Sequence, residues 1–177
     1  MQAAERIVFV SGPPGAGKST ISRLLQQRTG GSVLAGDDYM AIVPLDQGEY
    51  FTDFRLDIVV NALVDDAVRL ARHHPCIVVD FVMLRDQEIQ ALRRVATVIA
   101  LDLVLLLPDP KSCLCRDQLR SKDERMGERS AQLAQAFLER AHLFAEFAPI
   151  VPNWRRSPSE IVDEIIAEQK RRRRHDR

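Results

Sequence analysis

The stretch Gly12-Pro13-Pro14-Gly15-Ala16-Gly17-Lys18-Ser19-Thr20 fits the pattern Gly-x-x-x-x-Gly-Lys-Ser/Thr in full, and its flanks fit as well. Before it, residues 6–11 (RIVFVS) form a short, branched, apolar run that predicts a buried strand. After it, Ile21, Leu24 and Leu25 recur at helical spacing between Ser19 and Arg28. Strand, glycine loop and helix in that order make a cradle for a nucleoside triphosphate. Glycine lets the backbone turn its N–H groups inward, and the helix N-terminus adds partial positive charge beneath the phosphates. Gly12, Pro13, Pro14, Gly15, Ala16, Gly17, Lys18, Ser19 and Thr20 are therefore expected to bind the nucleotide. Lys18 is expected to reach the β- and γ-phosphates, and the Ser19 hydroxyl to ligate Mg²⁺. A plain Gly/Pro turn would not need both flanks to be right.

Working outward, Thr29-Gly30-Gly31 ends the first helix with a glycine cap. Residues 32–35 (SVLA) predict a second short strand that delivers Gly36-Asp37-Asp38-Tyr39 at its C-terminal end. Residues 40–52 include Pro44 and Gly48 and predict a loop with about one helical turn. From Asp53 to His74, the positions Leu56, Val59, Val60, Leu63, Val64, Ala67, Leu70 and Ala71 recur at three- and four-residue steps, and Pro75 stops the helix. Residues 76–82 (CIVVDFV) are a near-continuous apolar run broken by one carboxylate, Asp80, as in a central parallel strand. A helix from Arg85 to about Val98, a strand over 103–107, a helix over 111–119, a helix over 130–147 and a short strand over 149–152 are expected to follow. Ser157-Pro158-Ser159-Glu160 is a capping box with proline at the first helical position, and it opens a final helix.

Strands alternating with helices imply one α/β domain over residues 1–170, with a parallel sheet covered by helices on both faces. In such sheets ligands bind beyond the carboxyl ends of the strands. Acidic and basic residues number 25 each, but six of the basic ones lie in the last eight positions. The body of the chain is thus mildly acidic, which argues against nucleic acid as the main partner. The basic end, residues 171–177, is expected to fray into solvent as a tail. Neither a signal peptide nor a membrane-length apolar run is apparent, since 98–107 is short and holds Asp102, so a cytoplasmic protein is expected. Cys76, Cys113 and Cys115 form neither a disulfide framework nor a zinc site, and packing roles are expected.

Three features go beyond nucleotide binding. Asp37, at the end of the second strand, is positioned to accept the proton of an attacking hydroxyl, with Asp38 beside it as a helix cap or an assistant. Asp80 closes an apolar strand where a solitary charge is costly, and it suits a Mg²⁺-holding carboxylate. Arg116, Arg120, Lys122, Arg125 and Arg129, interleaved with Asp117, Asp123, Glu124 and Glu128, read as a charged lid over residues 116–130. Phosphoryl transfer needs such cations on the equatorial oxygens, and a closing lid also excludes water. Tyr39, Met40, Tyr50, Phe51, Phe54 and Phe81 point to an acceptor that is ring-bearing or partly apolar.

On these residues the chain resembles the small P-loop kinases related to shikimate, gluconate and adenylate kinases. Within that group it is most similar to chloramphenicol phosphotransferase-like enzymes and polynucleotide 5′-kinases. The segment 35–40 (AGDDYM) resembles the one carrying their catalytic aspartate, which implies the base role for Asp37. The segment 53–55 (DFR) resembles the opening of their substrate helix, which implies substrate contacts for Arg55, alongside Asp38 and Phe81. The segment 78–82 (VVDFV) resembles their Walker B-like strand. The resemblance further implies a five-stranded sheet in the order 2-3-1-4-5, an adenine site near Arg116 and the loop after Pro152, and Mg²⁺-ATP as donor. Arg120 and Arg125 are the candidate lid catalysts. A glycine triplet after Asp80 is missing, which counts against shikimate itself. The resulting expectation is an ATP-dependent kinase acting on a small-molecule hydroxyl: an antibiotic, a sugar-like metabolite or a nucleoside. A polynucleotide 5′-kinase, with a basic groove, and an ATP-binding regulatory module with slow hydrolysis are the alternatives.

Overall fold

The computed structural model describes residues 6–49, 51–122 and 125–175. Strand β1 (Arg6–Ser11) is buried along its whole length because it lies inside the sheet. Its side chains alternate, with Ile7 and Phe9 on one face and Val8 and Val10 on the other. β3 (Ile77–Asp80) and β4 (Ala100–Leu105) flank it in parallel, placing Val10 opposite both Asp80 and Val104. β2 (Ser32–Ala35) lies outside β3, with Ala35 opposite Asp80.

Each sheet face then needs a helical layer. α1 (Lys18–Thr29) and α7 (Pro158–His175) cover Val8, Val10, Val78 and Val104 with Ile21, Leu25, Ile161, Val162 and Ile165. α3 (Asp53–Ala71), α4 (Asp86–Ala96) and a 3₁₀ segment (Ala141–Phe147) cover the other face with Val59, Leu63, Ile89, Leu92 and Phe144. The remaining helices are α2 (Gly36–Ile42), α5 (Pro110–Asp117) and α6 (Glu128–Arg140).

The parallel α/β architecture with two helical layers matches the expectation, but the strand count and order do not. The sheet has four strands, β2-β3-β1-β4, instead of five in the order 2-3-1-4-5. Residues 149–152 make a single bridge, Ile150 to Val104, in which Leu105 N donates to Ile150 O at 2.9 Å and Ile150 N to Leu103 O at 2.7 Å. Pro149 and Pro152 bracket Ile150 and lack the N–H that a longer ladder would need.

Other boundaries move for local reasons. α2 runs from Gly36 into the 40–52 stretch, where a loop with about one helical turn was expected, and Asp37 and Asp38 lie in a first turn that favours negative charge. The expected helix over 130–147 divides into α6 and the 3₁₀ segment. The expected frayed tail is helical through His175: Arg171 pairs with Glu168 at 2.6 Å, and Arg172 Nε donates to the same carboxylate at 3.0 Å. Residues 176 and 177 lie outside the described residues. Cys76 and Cys113 are buried as expected, whereas Cys115 is exposed. Among the described residues no helix is long and apolar enough to cross a membrane.

Candidate active site at the carboxyl edge of the sheet

β1 ends at Ser11 and the chain turns through residues 12–17 into α1. Ala16 N donates to Pro13 O at 3.1 Å, and Lys18 Nζ reaches back to the same carbonyl at 3.1 Å. Gly15 has φ +78°, and a Cβ there would stand 2.7 Å from the Cys113 carbonyl oxygen. The loop therefore lies directly on α5, and only glycine fits that position. Burial pushes the Cys113 thiol up to about 11, which leaves it a packing group.

The expected carboxylates converge on this loop. Asp80 is aligned with both Val10 and Ala35, so it sits between the strand that delivers the loop and the strand that delivers Asp37. Burial pushes its carboxyl above the ordinary range, while the Lys18 charge and a hydrogen bond with the Ser19 hydroxyl pull it down. Burial holds the Lys18 ammonium below its ordinary value, Asp80 and then Asp37 oppose that shift, and Arg120 adds to it. Loop, base, metal and lid candidates thus share one electrostatic environment. No group of three or more His, Cys, Asp or Glu suited to a metal ion occurs among the described residues. Ser19 and Asp80 offer two oxygen donors, a set that fits Mg²⁺, which keeps most of its ligands as water and phosphate.

A cavity of about 370 Å³ opens in front of these groups. Of the expected site residues, Pro14, Lys18, Ser19, Asp37, Asp80, Phe81 and Arg120 line it together. Met40, Phe51, Leu56, Val82, Leu84, Met126 and Leu133 give it an apolar wall, and Asp53, Arg85, Glu88 and Arg129 add charge. Phe81 is held against Gly36, where an added Cβ would overlap its ring. The Arg129 guanidinium lies 5.0 Å from the centre of the Phe51 ring, and both residues line the cavity.

Several expected residues lie elsewhere. Gly12, Pro13, Gly15 and Ala16 form the buried body of the loop, and Thr20 is exposed in the first turn of α1. Arg55 does not meet the cavity. It is 1% exposed, and its Nη2 donates to Met40 O and Val43 O, each at 2.6 Å. Asp38 is exposed and does not line the cavity, because one residue along a helix turns a side chain by about 100° from Asp37. Arg125 turns back along the lid, its Nε donating to Arg120 O at 2.9 Å. Tyr39 bonds Asp66 at 2.7 Å, and Phe54 is exposed. Tyr50, Asp123 and Glu124 lie outside the described residues.

Arg116 stands behind the loop, its Nη1 donating to Gly15 O and Ala16 O at 3.3 Å, with its guanidinium 5.7 Å from the centre of the Trp154 ring. Arg155 lies over the same ring at 5.2 Å. Sequence reasoning did not single out Glu88, Met126 or Leu133. Glu88 alone carried a signal, as the third residue of a helix where a carboxylate can reach back to the cap. Met126 comes in with the charged segment and Leu133 with α6, and no pattern marks them.

No curated protein matches the chain. Among solved structures, the fold is similar to a gluconokinase from Sinorhizobium meliloti 1021, with a TM-score of 0.72 and 22% identity over 94% of this chain and 93% of that one. It is also similar to a shikimate kinase from Acinetobacter baumannii in complex with shikimate (TM-score 0.66, 19% identity, 93% and 92% covered). A deoxyadenosine kinase from M. mycoides with bound dATP has a TM-score of 0.60 at 19% identity, over 93% of this chain and 99% of that one. The resemblance to small P-loop kinases thus holds at the level of the fold. The AAA_33 family model, an AAA domain, matches residues 7–146 and so spans both the glycine loop and the lid. With the loop, both carboxylate-bearing strand ends and the lid inside that match, the chain belongs to the AAA_33 family of AAA domains.

Proposed function

We propose that the chain is an ATP-dependent kinase that transfers the γ-phosphoryl group to a hydroxyl of a small molecule. The observation that carries this reading is the convergence of Lys18, Asp37 and Arg120 on one cavity from the loop, a neighbouring strand end and the lid. The gluconokinase, shikimate kinase and deoxyadenosine kinase names of the structural neighbours support it.

Asp37 takes the proton of the acceptor hydroxyl as that oxygen forms its bond to the γ-phosphorus. Lys18 meets the charge on the bridging oxygen as its bond to phosphorus breaks and the diphosphate leaves. Arg120 stabilises the equatorial oxygens from the lid, with Arg125 holding the lid backbone through the Arg120 carbonyl. Ser19 and Asp80 would hold Mg²⁺, which when bound neutralises phosphate charge. Arg116, whose guanidinium lies over the Trp154 ring, would meet the nucleotide base beside the loop. The apolar wall disfavours water, which would otherwise compete with the acceptor.

Transfer of ³²P from ATP onto sugars, nucleosides, antibiotics and oligonucleotides tests this reading. Asp37→Asn is expected to bind ATP with unchanged affinity and to lose transfer by about 10²–10⁴-fold, the usual contribution of a positioned base. Full transfer by Asp37→Asn would overturn the base assignment.

A further inference from the structure

The cavity wall contains a guanidinium whose every nitrogen faces a carboxylate or a carbonyl of this chain. Arg85 Nε donates to Glu88 Oε1, Nη1 to Asp53 Oδ1 and Nη2 to Asp57 Oδ1, each at 2.9 Å. Nη1 also meets the Asp53 carbonyl at 3.4 Å. Glu88 is buried, and its other oxygen accepts the backbone N–H groups of Leu84 and Arg85, so the cage is anchored to the turn that begins α4. Three carboxylates around one guanidinium leave this cluster net negative, with Asp53 and Glu88 on the cavity side and Asp57 behind its lining. The nearby Arg55 is committed to the Met40 and Val43 carbonyls, and Arg129 lies over the Phe51 ring. Arg120 belongs with Lys18 at the phosphate end.

Resting on the kinase reading, we infer that the acceptor carries no anionic group: it is a neutral or amine-bearing hydroxyl compound with an apolar body, selected by the carboxylate cage on Arg85. An incoming carboxylate or phosphate would have to displace Asp53, Asp57 or Glu88 from Arg85 and then stand beside the displaced charge. Like charges brought together in this way reject a ligand as effectively as a steric clash. A neutral or ammonium-bearing acceptor leaves the cage intact, and Met40, Leu56, Phe81 and Leu84 receive its apolar part. Arg85 is thereby a specificity residue, held in place as an element of structure rather than presented as an anion receptor.

The test uses the whole chain with Mg²⁺-ATP and a library of hydroxyl compounds in which every carboxylic acid is accompanied by its primary carboxamide. Mass spectrometry reads which compounds gain a phosphoryl group. The expected products are all non-anionic, with each carboxamide preferred over its acid by about 100-fold in kcat/KM, as befits an avoided like-charge contact. Products that include the acids at comparable rates would overturn the inference and leave the kinase reading standing. A library with no product at all would overturn the kinase reading itself. In Asp53→Asn/Asp57→Asn, which frees two guanidinium nitrogens, the preference is expected to shrink to about 10-fold or less. An unchanged preference there would remove Arg85 as its source.

Discussion

Tyr39 shows how a single residue can fix the helix that carries the proposed base. It sits in α2 two positions after Asp37, and its hydroxyl donates to Asp66 Oδ2 of α3 at 2.7 Å. Asp66 also accepts from Arg69 at 2.7 Å, so the acceptor oxygens are fixed in turn. Burial, then the hydrogen bond to Asp66, pushes the Tyr39 phenol up to about 12. A folded-state value above the ordinary 10.0 means that this contribution to stability is complete below pH 10 and is lost as the pH rises towards 12. Tyr39→Phe should therefore be less stable than wild type by about 1 kcal/mol at neutral pH, the usual net worth of such a bond. Urea unfolding of both proteins is expected to show that gap closing above pH 10, since only the wild type has this phenol to ionise. A gap that stays constant across the alkaline range would refute the assignment.

Among the elements, the charged connection from α5 to α6 depends on one buried carboxylate. Asp117, at the end of α5, is fully buried and accepts the backbone N–H groups of Met126 at 3.0 Å and Gly127 at 2.7 Å. It closes the charged connection to α6 at its base, which sets where Arg120, Met126 and Arg129 meet the cavity. Asp117→Ala would orphan two amide donors, and a loss of about 1–3 kcal/mol is expected. Trypsin should then cut faster after Arg120, Lys122 or Arg125, and transfer should fall more than ATP affinity does; unchanged proteolysis would refute the clamp. The charged run over 116–130 was legible in sequence, with Leu119 and Met126 its apolar exceptions, but Asp117 read only as one of its interleaved acids, because burial is a property of the fold. The same limit explains α2. Gly36-Asp37-Asp38 has the composition of a turn, and the helix it opens is capped at its far end by Arg55, which arrives from α3 and donates to the Met40 and Val43 carbonyls. Conversely, α3 was legible because its apolar positions repeat at 3.6 residues, and β1 because both its faces are apolar.

At the scale of the whole molecule, the sheet that presents the site is tied to its last helix by a buried charge. Asp102 of β4 is opposite Val8, on the face covered by α7. It pairs with Arg6 of β1, accepts from Gln169 Nε2 at 2.9 Å, and has Arg172 Nη1 at 3.9 Å. First strand, edge strand and C-terminal helix therefore meet at one carboxylate, a junction no local sequence pattern announces because its members lie up to 166 positions apart (from 6 to 172). A buried pair contributes little net stability compared with a well-packed apolar replacement, yet breaking it strands a charge. Asp102→Ala is expected to lose about 3–5 kcal/mol in urea unfolding, because Arg6 remains buried without its counter-charge. Arg6→Met/Asp102→Leu should recover most of that loss, since both charges leave together. If Asp102→Ala unfolds at the wild-type midpoint, the junction does not hold the helix. If the double variant is as unstable as the single, the loss comes from packing around β4 and not from the unpaired guanidinium.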